Sequence, residues 1–168
     1  MLNRSYPDQI CSIASALEVV GERWTLLILR DAQLGLTQFH EFRDSLGIAS
    51  NVLASRLDRL CEEGLLERRP SEQAAGRHQY TLTEKGRALA PVLITLMHWG
   101  DRYYGRPEGP PRLTTHRGCG GRVGPEMRCD RCGERVGFSD IQVEPGPALG
   151  VAVEDDPQSS DATTNTPQ

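Results

Sequence analysis

Late in the chain, His116, Cys119, Cys129 and Cys132 stand as His116-x-x-Cys119-Gly120 and Cys129-x-x-Cys132-Gly133. A two-residue gap lets neighbouring ligands bind one metal ion. The glycine after each pair frees the turn, so that backbone amides can point at sulfur. Four nitrogen and sulfur ligands complete a tetrahedron around zinc and leave no position open for water, which suits a structural site. The same residues also fit a degenerate ribbon that has lost its metal, or a redox-active thiol cluster. His116 is promoted by its spacing alone.

A second constellation runs from Ala49 to Gly64. Leu53, Leu57 and Leu60 recur at helical spacing. The opposite face carries Asn51, Ser55, Arg56 and Arg59, which can hydrogen-bond phosphates and base edges. Reading a major groove needs a helix whose early polar side chains reach the bases. Asn51, Ser55 and Arg56 are therefore expected to face outward onto bases or phosphates, and Arg59, one turn on, onto phosphate. Ser50 and Thr37 offer hydroxyls and helix-terminal amides to the DNA backbone. Arg77 is placed for the minor groove, with Arg68 or Arg69 on phosphate. The plain alternative is a solvated helix face that happens to carry Arg and Ser.

These residues need elements to hold them. Asp8 can cap a first helix over about 9–20, with Ile10, Ile13, Leu17 and Val20 as its apolar stripe and Gly21 at its end. A second helix is expected from Glu22 to Ala32, with Trp24, Leu27 and Ile28 buried. Thr37 is expected to cap a third through Phe39 and Phe42 to Leu46. Gly47 supplies a tight turn and Ser50 caps the Leu53 helix, which Gly64 stops. Residues 65–69 and 77–82 read as two strands of a hairpin around a polar loop, 70–76. Thr83 caps a last long helix with Leu89, Val92, Leu93, Leu96, Trp99 and Tyr103 at threes and fours, kinked or shortened by Pro91. That stripe is too long for a small core to cover, so a partner copy, and hence a homodimer, is expected. The fold class is mainly α with a small β-hairpin wing, a winged helix-turn-helix. A small β zinc-ribbon-like module and a disordered tail follow. The division is 1–105 for the DNA-binding and dimerisation domain, 106–111 for a Pro/Gly linker, 112–143 for the module and 144–168 for an acidic disordered tail.

Net charge is −4 over 168 residues. Its placement matters more than its total. Residues 1–105 hold 12 Lys+Arg and 13 Asp+Glu, residues 106–143 hold 7 and 5, and residues 144–168 hold none and 5. The acidic excess therefore sits in the tail. Five cysteines, an odd number, argue against a disulfide framework. No apolar run approaches a membrane span and Met1–Pro7 is not an apolar targeting segment, so a cytoplasmic protein without a membrane partner is expected. No phosphate-binding Gly loop, nucleophilic Ser elbow or acidic pair of recognisable type is present, so no enzyme is expected. Cys11 falls in the first turn of its helix, where the dipole favours a thiolate. It fits equally a small core residue beside Ile10 and Ala14. Cys61 reads as core, and His40, His78 and His98 have no partners at ligand spacing.

Residues 1–105 resemble the HxlR family of winged helix-turn-helix transcription regulators. The matching pieces are Cys11, the run Val20 to Leu29, Phe39-His40-Glu41-Phe42, Leu46-Gly47-Ile48, Leu53, Arg56-Leu57, Glu63 to Leu66, Tyr80 to Gly86 and Trp99-Gly100-Asp101. The resemblance implies a dimer on palindromic promoter DNA, usually a repressor and sometimes an activator. It also implies, for Cys11, the role of an oxidant or electrophile sensor that the matching cysteine plays in some members. The chain departs from many members at Glu22, where they carry Lys, and at Ser12, where they carry Pro. Its wing reads Ala74-Ala75-Gly76-Arg77 without the common Pro-Pro step. The expected function is thus a sequence-specific DNA-binding regulator whose partners are double-stranded DNA, a second copy and a small-molecule or oxidant signal. Another class of reading is a winged-helix adaptor that binds proteins and not DNA. A zinc enzyme is a third, disfavoured because the ligand set is closed and no general base is evident.

Overall fold

The computed structural model describes residue 6, residues 9–70 and residues 76–149. The first helix, α1 (Ser12–Val20), begins three residues later than its stripe implied, behind Cys11 in extended conformation at the N-cap. Asp8, the expected cap, lies outside the described residues. Gly21 closes α1 because only glycine fits there: a Cβ would stand 2.5 Å from the Leu17 carbonyl oxygen. In α2 (Thr25–Gln33) the fully buried side chains are Ile28, Leu29 and Asp31. Trp24 and Leu27, expected inside, are half-buried, and Leu29 takes the inward position the pattern had not singled out.

The third helix, α3 (Phe39–Leu46), is capped by Gln38 and not by Thr37. Glu41 decides this. Its Oε2 accepts the backbone N–H groups of both Thr37 and Gln38, each at 2.8 Å, half of a capping box. Those two donors hold the Glu41 carboxyl below the usual carboxylate range. Gly47 at φ +59° makes the turn, and α4 (Ser50–Glu62) follows at once. Its N-cap is Ala49, so Ser50 is the first helical residue and not the cap.

After α4, β1 (Leu66–Pro70) and β2 (His78–Leu82) pair antiparallel with Leu66 opposite Leu82 and Pro70 opposite His78. The loop tip, 71–75, lies outside the described residues. A third piece of chain joins this wing: Gln38 bridges Gln79, and Tyr80 N–H donates to the Thr37 carbonyl at 2.8 Å. One core gathers α2, α3, α4 and the wing around Ile28, Phe42, Leu53, Leu57 and Leu65, with Leu60, Leu66 and Tyr80 beside them. At about 1.5–3 kcal/mol for each large side chain fully buried, this cluster is the main source of stability.

Thr83 caps as expected, its Oγ1 accepting the Gly86 N–H at 3.1 Å. The helix it starts is only α5 (Glu84–Arg87). The long helix restarts as α6 (Ala90–Tyr104), with Pro91 in its first turn. Proline has no N–H to give the carbonyl four residues back, which is Arg87, and its ring collides with that carbonyl. The break falls there. No residue of α6 is buried. Beyond residues 105–111, which hold no regular element, come two short antiparallel strands, β3 (Met127–Arg128) and β4 (Arg135–Val136), and an isolated bridge between Thr115 and Arg122. Of the tail, residues 144–149 are described and include a 3-10 turn at Pro147–Leu149; the rest lies outside. Among the described residues no helix is long and apolar enough to cross a membrane.

Candidate nucleic-acid interface

Helices α3 and α4, joined by Gly47-Ile48-Ala49, form a helix-turn-helix, with Ile48 buried to fix the turn. Leu53, Leu57 and Leu60 face the core, so the solvent face follows at helical spacing as Asn51, Ser55, Asp58, Arg59 and Glu62, all exposed. Its first half is neutral and can donate and accept hydrogen bonds. Its second half carries two carboxylates that repel phosphate. Only the N-terminal half is therefore fit to meet base edges, and Arg59 is the one cation of the second half. Among the described residues Ser50, Asn51 and Ser55 make no side-chain hydrogen bond. No side chain caps α4, so its first N–H groups are left for an anion.

One arginine is placed differently from the sequence expectation. Arg56 does not face outward. It is half-buried and reaches Glu22 in the α1–α2 corner, Nη2 to Oε2 2.8 Å, while its Nε has no partner among the described residues. Arg59 pairs with Glu63 at 2.6 Å and, more distantly, with Glu62. Arg68 lies 3.3 Å from Asp58, and Arg69 lies 2.7 Å from Glu67. The Arg69 contact and the Thr81 hydroxyl hold the Glu67 carboxyl below its ordinary range. Arg77 is exposed, with no carboxylate partner among the described residues. Exposed pairs of this kind are worth about 0.2–1 kcal/mol each, so a duplex can take these guanidiniums from their carboxylates.

At the loop end of the wing, Arg77, His40 and His78 share an open recess of about 410 Å³ with Gln38, Phe39 and Tyr80. The two histidines had no role from spacing alone, since α3 and β2 bring them together only in the fold. Thr37 is half-buried and its backbone is spent on Glu41 and Tyr80. Glu22 was missed as a site residue because its partner lies 34 positions away.

A second surface is apolar. On α6, Leu96 is 47 % exposed, Trp99 51 % and Tyr103 60 %. Trp99 stacks at a tilt on both Tyr103 and Tyr104, with centroids 5.5 and 5.3 Å apart. On or just before α1, Ile10, Ile13 and Leu17 are exposed too, with Cys11 exposed among them. Cys61 differs: it packs against the core, and burial pushes its thiol up.

In the extension, His116 Nδ1 lies 3.3 Å from Cys119 Sγ. The backbone N–H groups of Cys132 and Arg131, then the Cys132 thiol, hold the Cys129 thiol below its usual value. Each expected pair is thus brought together. Among the described residues no three His, Cys, Asp or Glu side chains are gathered into one metal-sized cluster.

Residues 19–108 match the HxlR-like helix-turn-helix family. Among curated proteins, the HTH-type transcriptional regulator Rv3095 of Mycobacterium tuberculosis is 47% identical over 138 residues, 82% of this chain and 87% of that protein. The HTH-type transcriptional regulator YodB of Bacillus subtilis is 33% identical over 90 residues, 53% of this chain and 80% of that one. Among solved structures, PA1607, described as a candidate transcription factor, superposes with a TM-score of 0.73 at 38% identity, over 82% of this chain and 96% of that chain. The redox regulator HypR in its reduced form gives 0.52 at 28% identity, over 56% and 96%. An alignment of 138 residues cannot fit within residues 1–108, so the likeness to Rv3095 continues into the extension.

Proposed function

The chain belongs to the HxlR-like helix-turn-helix family, a helix-turn-helix transcriptional regulator, and from that premise we propose that it works as a homodimeric, sequence-specific repressor. The two copies set their α4 N-termini in successive major grooves of one duplex, half-sites about one helical turn apart. Asn51 and Ser55 read base edges, and Ser50 with the uncapped amides of α4 takes a phosphate. Arg56, Arg59, Arg68 and Arg69 exchange their carboxylates for phosphates, and Arg77 follows the wing into the minor groove. The observation that carries this reading is the division of α4, whose core-opposed face is neutral and unpaired at the N-terminal end alone.

The dimer rests on the exposed apolar stripes of α1 and α6, surface of the kind that marks an interface. The promoter-bound dimer excludes polymerase, hence a repressor, acting on DNA in the cytoplasm. Its signal is an oxidant or electrophile that meets Cys11, exposed beside Ile10 and Ile13 on the dimer stripe, so that modification reaches the interface directly. HypR, by name a redox regulator, supports that reading. The chain is read as a regulator and not an enzyme.

The test is selection of duplexes from a random pool by the full chain, followed by titration of the winner and of a scrambled duplex at two salt concentrations. A converged, two-fold symmetric winner with salt-dependent binding is expected. Failure to converge, with no salt-dependent binding to either duplex, would favour the adaptor reading that the internal ion pairs of Arg56, Arg59, Arg68 and Arg69 leave open.

A further inference from the structure

We propose that the extension is a two-knuckle zinc site, with His116 and Cys119 from one knuckle and Cys129 and Cys132 from the other closing on a single ion. The basis is a repeat of 13 residues that both sequence and backbone obey. His116-x-x-Cys119-Gly120-x-Arg122-Val123 aligns with Cys129-x-x-Cys132-Gly133-x-Arg135-Val136. The two copies fold alike, bond for bond. Gly120 N–H donates to the His116 carbonyl at 2.8 Å, and Gly133 N–H to the Cys129 carbonyl at 3.0 Å. His116 N–H donates to Gly121 at 2.8 Å, and Cys129 N–H to Glu134 at 3.0 Å. The glycines sit at φ +72° and +71°, a conformation other residues rarely adopt. Thr115 bridges Arg122 as Arg128 pairs with Arg135.

The first knuckle already holds its two ligands close to a metal's spacing. With Zn–N about 2.05 Å and Zn–S about 2.3 Å, the N···S edge of a tetrahedron is about 3.6 Å. His116 Nδ1 and Cys119 Sγ stand 3.3 Å apart. In the second knuckle, backbone N–H groups of Arg131 and Cys132 point at the Cys129 sulfur, the arrangement that stabilises a bound thiolate. No buried core holds this region together. None of the residues from 112 to 137 is buried, and strands of two residues are too short to stand alone. A module with no core needs a staple.

The first knuckle is anchored on the winged domain. His98 of α6 reaches the Val123 carbonyl at 3.2 Å and lies 3.4 Å from Thr114 Oγ1. The second hangs from it by the short link through Gly124 and Pro125, its hairpin tied by Glu126 to Arg135. The ion draws the free knuckle onto the anchored one. Because the ligand set is complete, the ion is structural and presents no open position.

The test uses the full chain, produced with zinc, kept reduced and desalted into metal-free buffer. Elemental analysis is expected to give about one zinc per chain. Cys129→Ser and Cys132→Ser should each lose most of it, whereas Cys11→Ser and Cys61→Ser retain it. Cobalt(II) exchanged into the unaltered chain should show the absorption of a tetrahedral three-sulfur, one-nitrogen site, a readout that needs no variant to fold. A metal-free unaltered chain, half an equivalent shared between copies, zinc retained by a Cys129→Ser, Cys132→Ser double variant, or a Cys129–Cys132 disulfide in its place would each overturn the proposal. Promoter binding by the winged domain is measured separately and does not depend on the outcome.

Discussion

Glu22→Gln removes the carboxylate that holds Arg56. The contact is short, 2.8 Å, but Glu22 is 53 % exposed and Arg56 25 %, so the pair belongs with solvent-screened bridges, about 0.2–1 kcal/mol. In the free protein Arg56 is tied to Glu22, and in the complex it must be given up to a phosphate. Glu22→Gln abolishes that cost in both copies of the dimer and should tighten binding to any duplex by about 2- to 30-fold, about 1.4- to 5-fold for each protomer. The number of phosphates met is unchanged, so the salt slope should be unchanged. Arg56→Ala should do the opposite, reducing the slope of the dimer by about 1.8, two phosphates at about 0.9 each, or about 12-fold over a fourfold rise in salt. Fluorescence anisotropy of a labelled duplex, titrated with each variant at low and moderate salt, reads both quantities. The reasoning is refuted if Glu22→Gln weakens binding, because the pair would then be orienting Arg56 for DNA instead of withholding it.

Three further predictions concern the scaffold and the signal. Gly86→Ala should destabilise the chain by about 1–3 kcal/mol or more, because its Cβ would stand 2.2 Å from the Leu65 carbonyl oxygen; an unchanged urea midpoint would contradict this. The Glu41 carboxyl is depressed in the folded state by the Gln38 and Thr37 amides. Its contribution is therefore present above the unfolded carboxylate value and is lost as pH falls through the folded one. Glu41→Gln should flatten the fall in stability below about pH 5, as thermal melts across that range would show. Finally, Cys11→Ser should leave DNA binding intact while abolishing the response to diamide or a quinone in a gel-shift assay. A variant that still responds would move the sensor elsewhere.

Much of this arrangement was readable in the amino-acid order. Leu53, Leu57 and Leu60 disclosed α4, and the two strands of the wing came within a residue of their bounds, because local periodicity governs both. What was not readable depended on distant partners. Thr37 has a good capping side chain, yet its N–H is taken by Glu41, so Gln38 caps. Arg56 reads as solvent-facing on a helix net, but the α1–α2 corner brings Glu22 over its flank. The break before α6, by contrast, was readable, because it follows from Pro91 acting on the Arg87 carbonyl four residues back. His98 had no sequence signal at all, since its partners, Thr114 and Val123, belong to the extension.

The most direct trial of the central claim is hydroxyl-radical footprinting of the full chain on a duplex selected by it. Two symmetric protected patches about 10 base pairs apart, both lost together in an Asn51→Ala, Ser55→Ala variant that remains folded, are the predicted result. A single unpaired patch, or protection that survives the loss of both side chains, would contradict it.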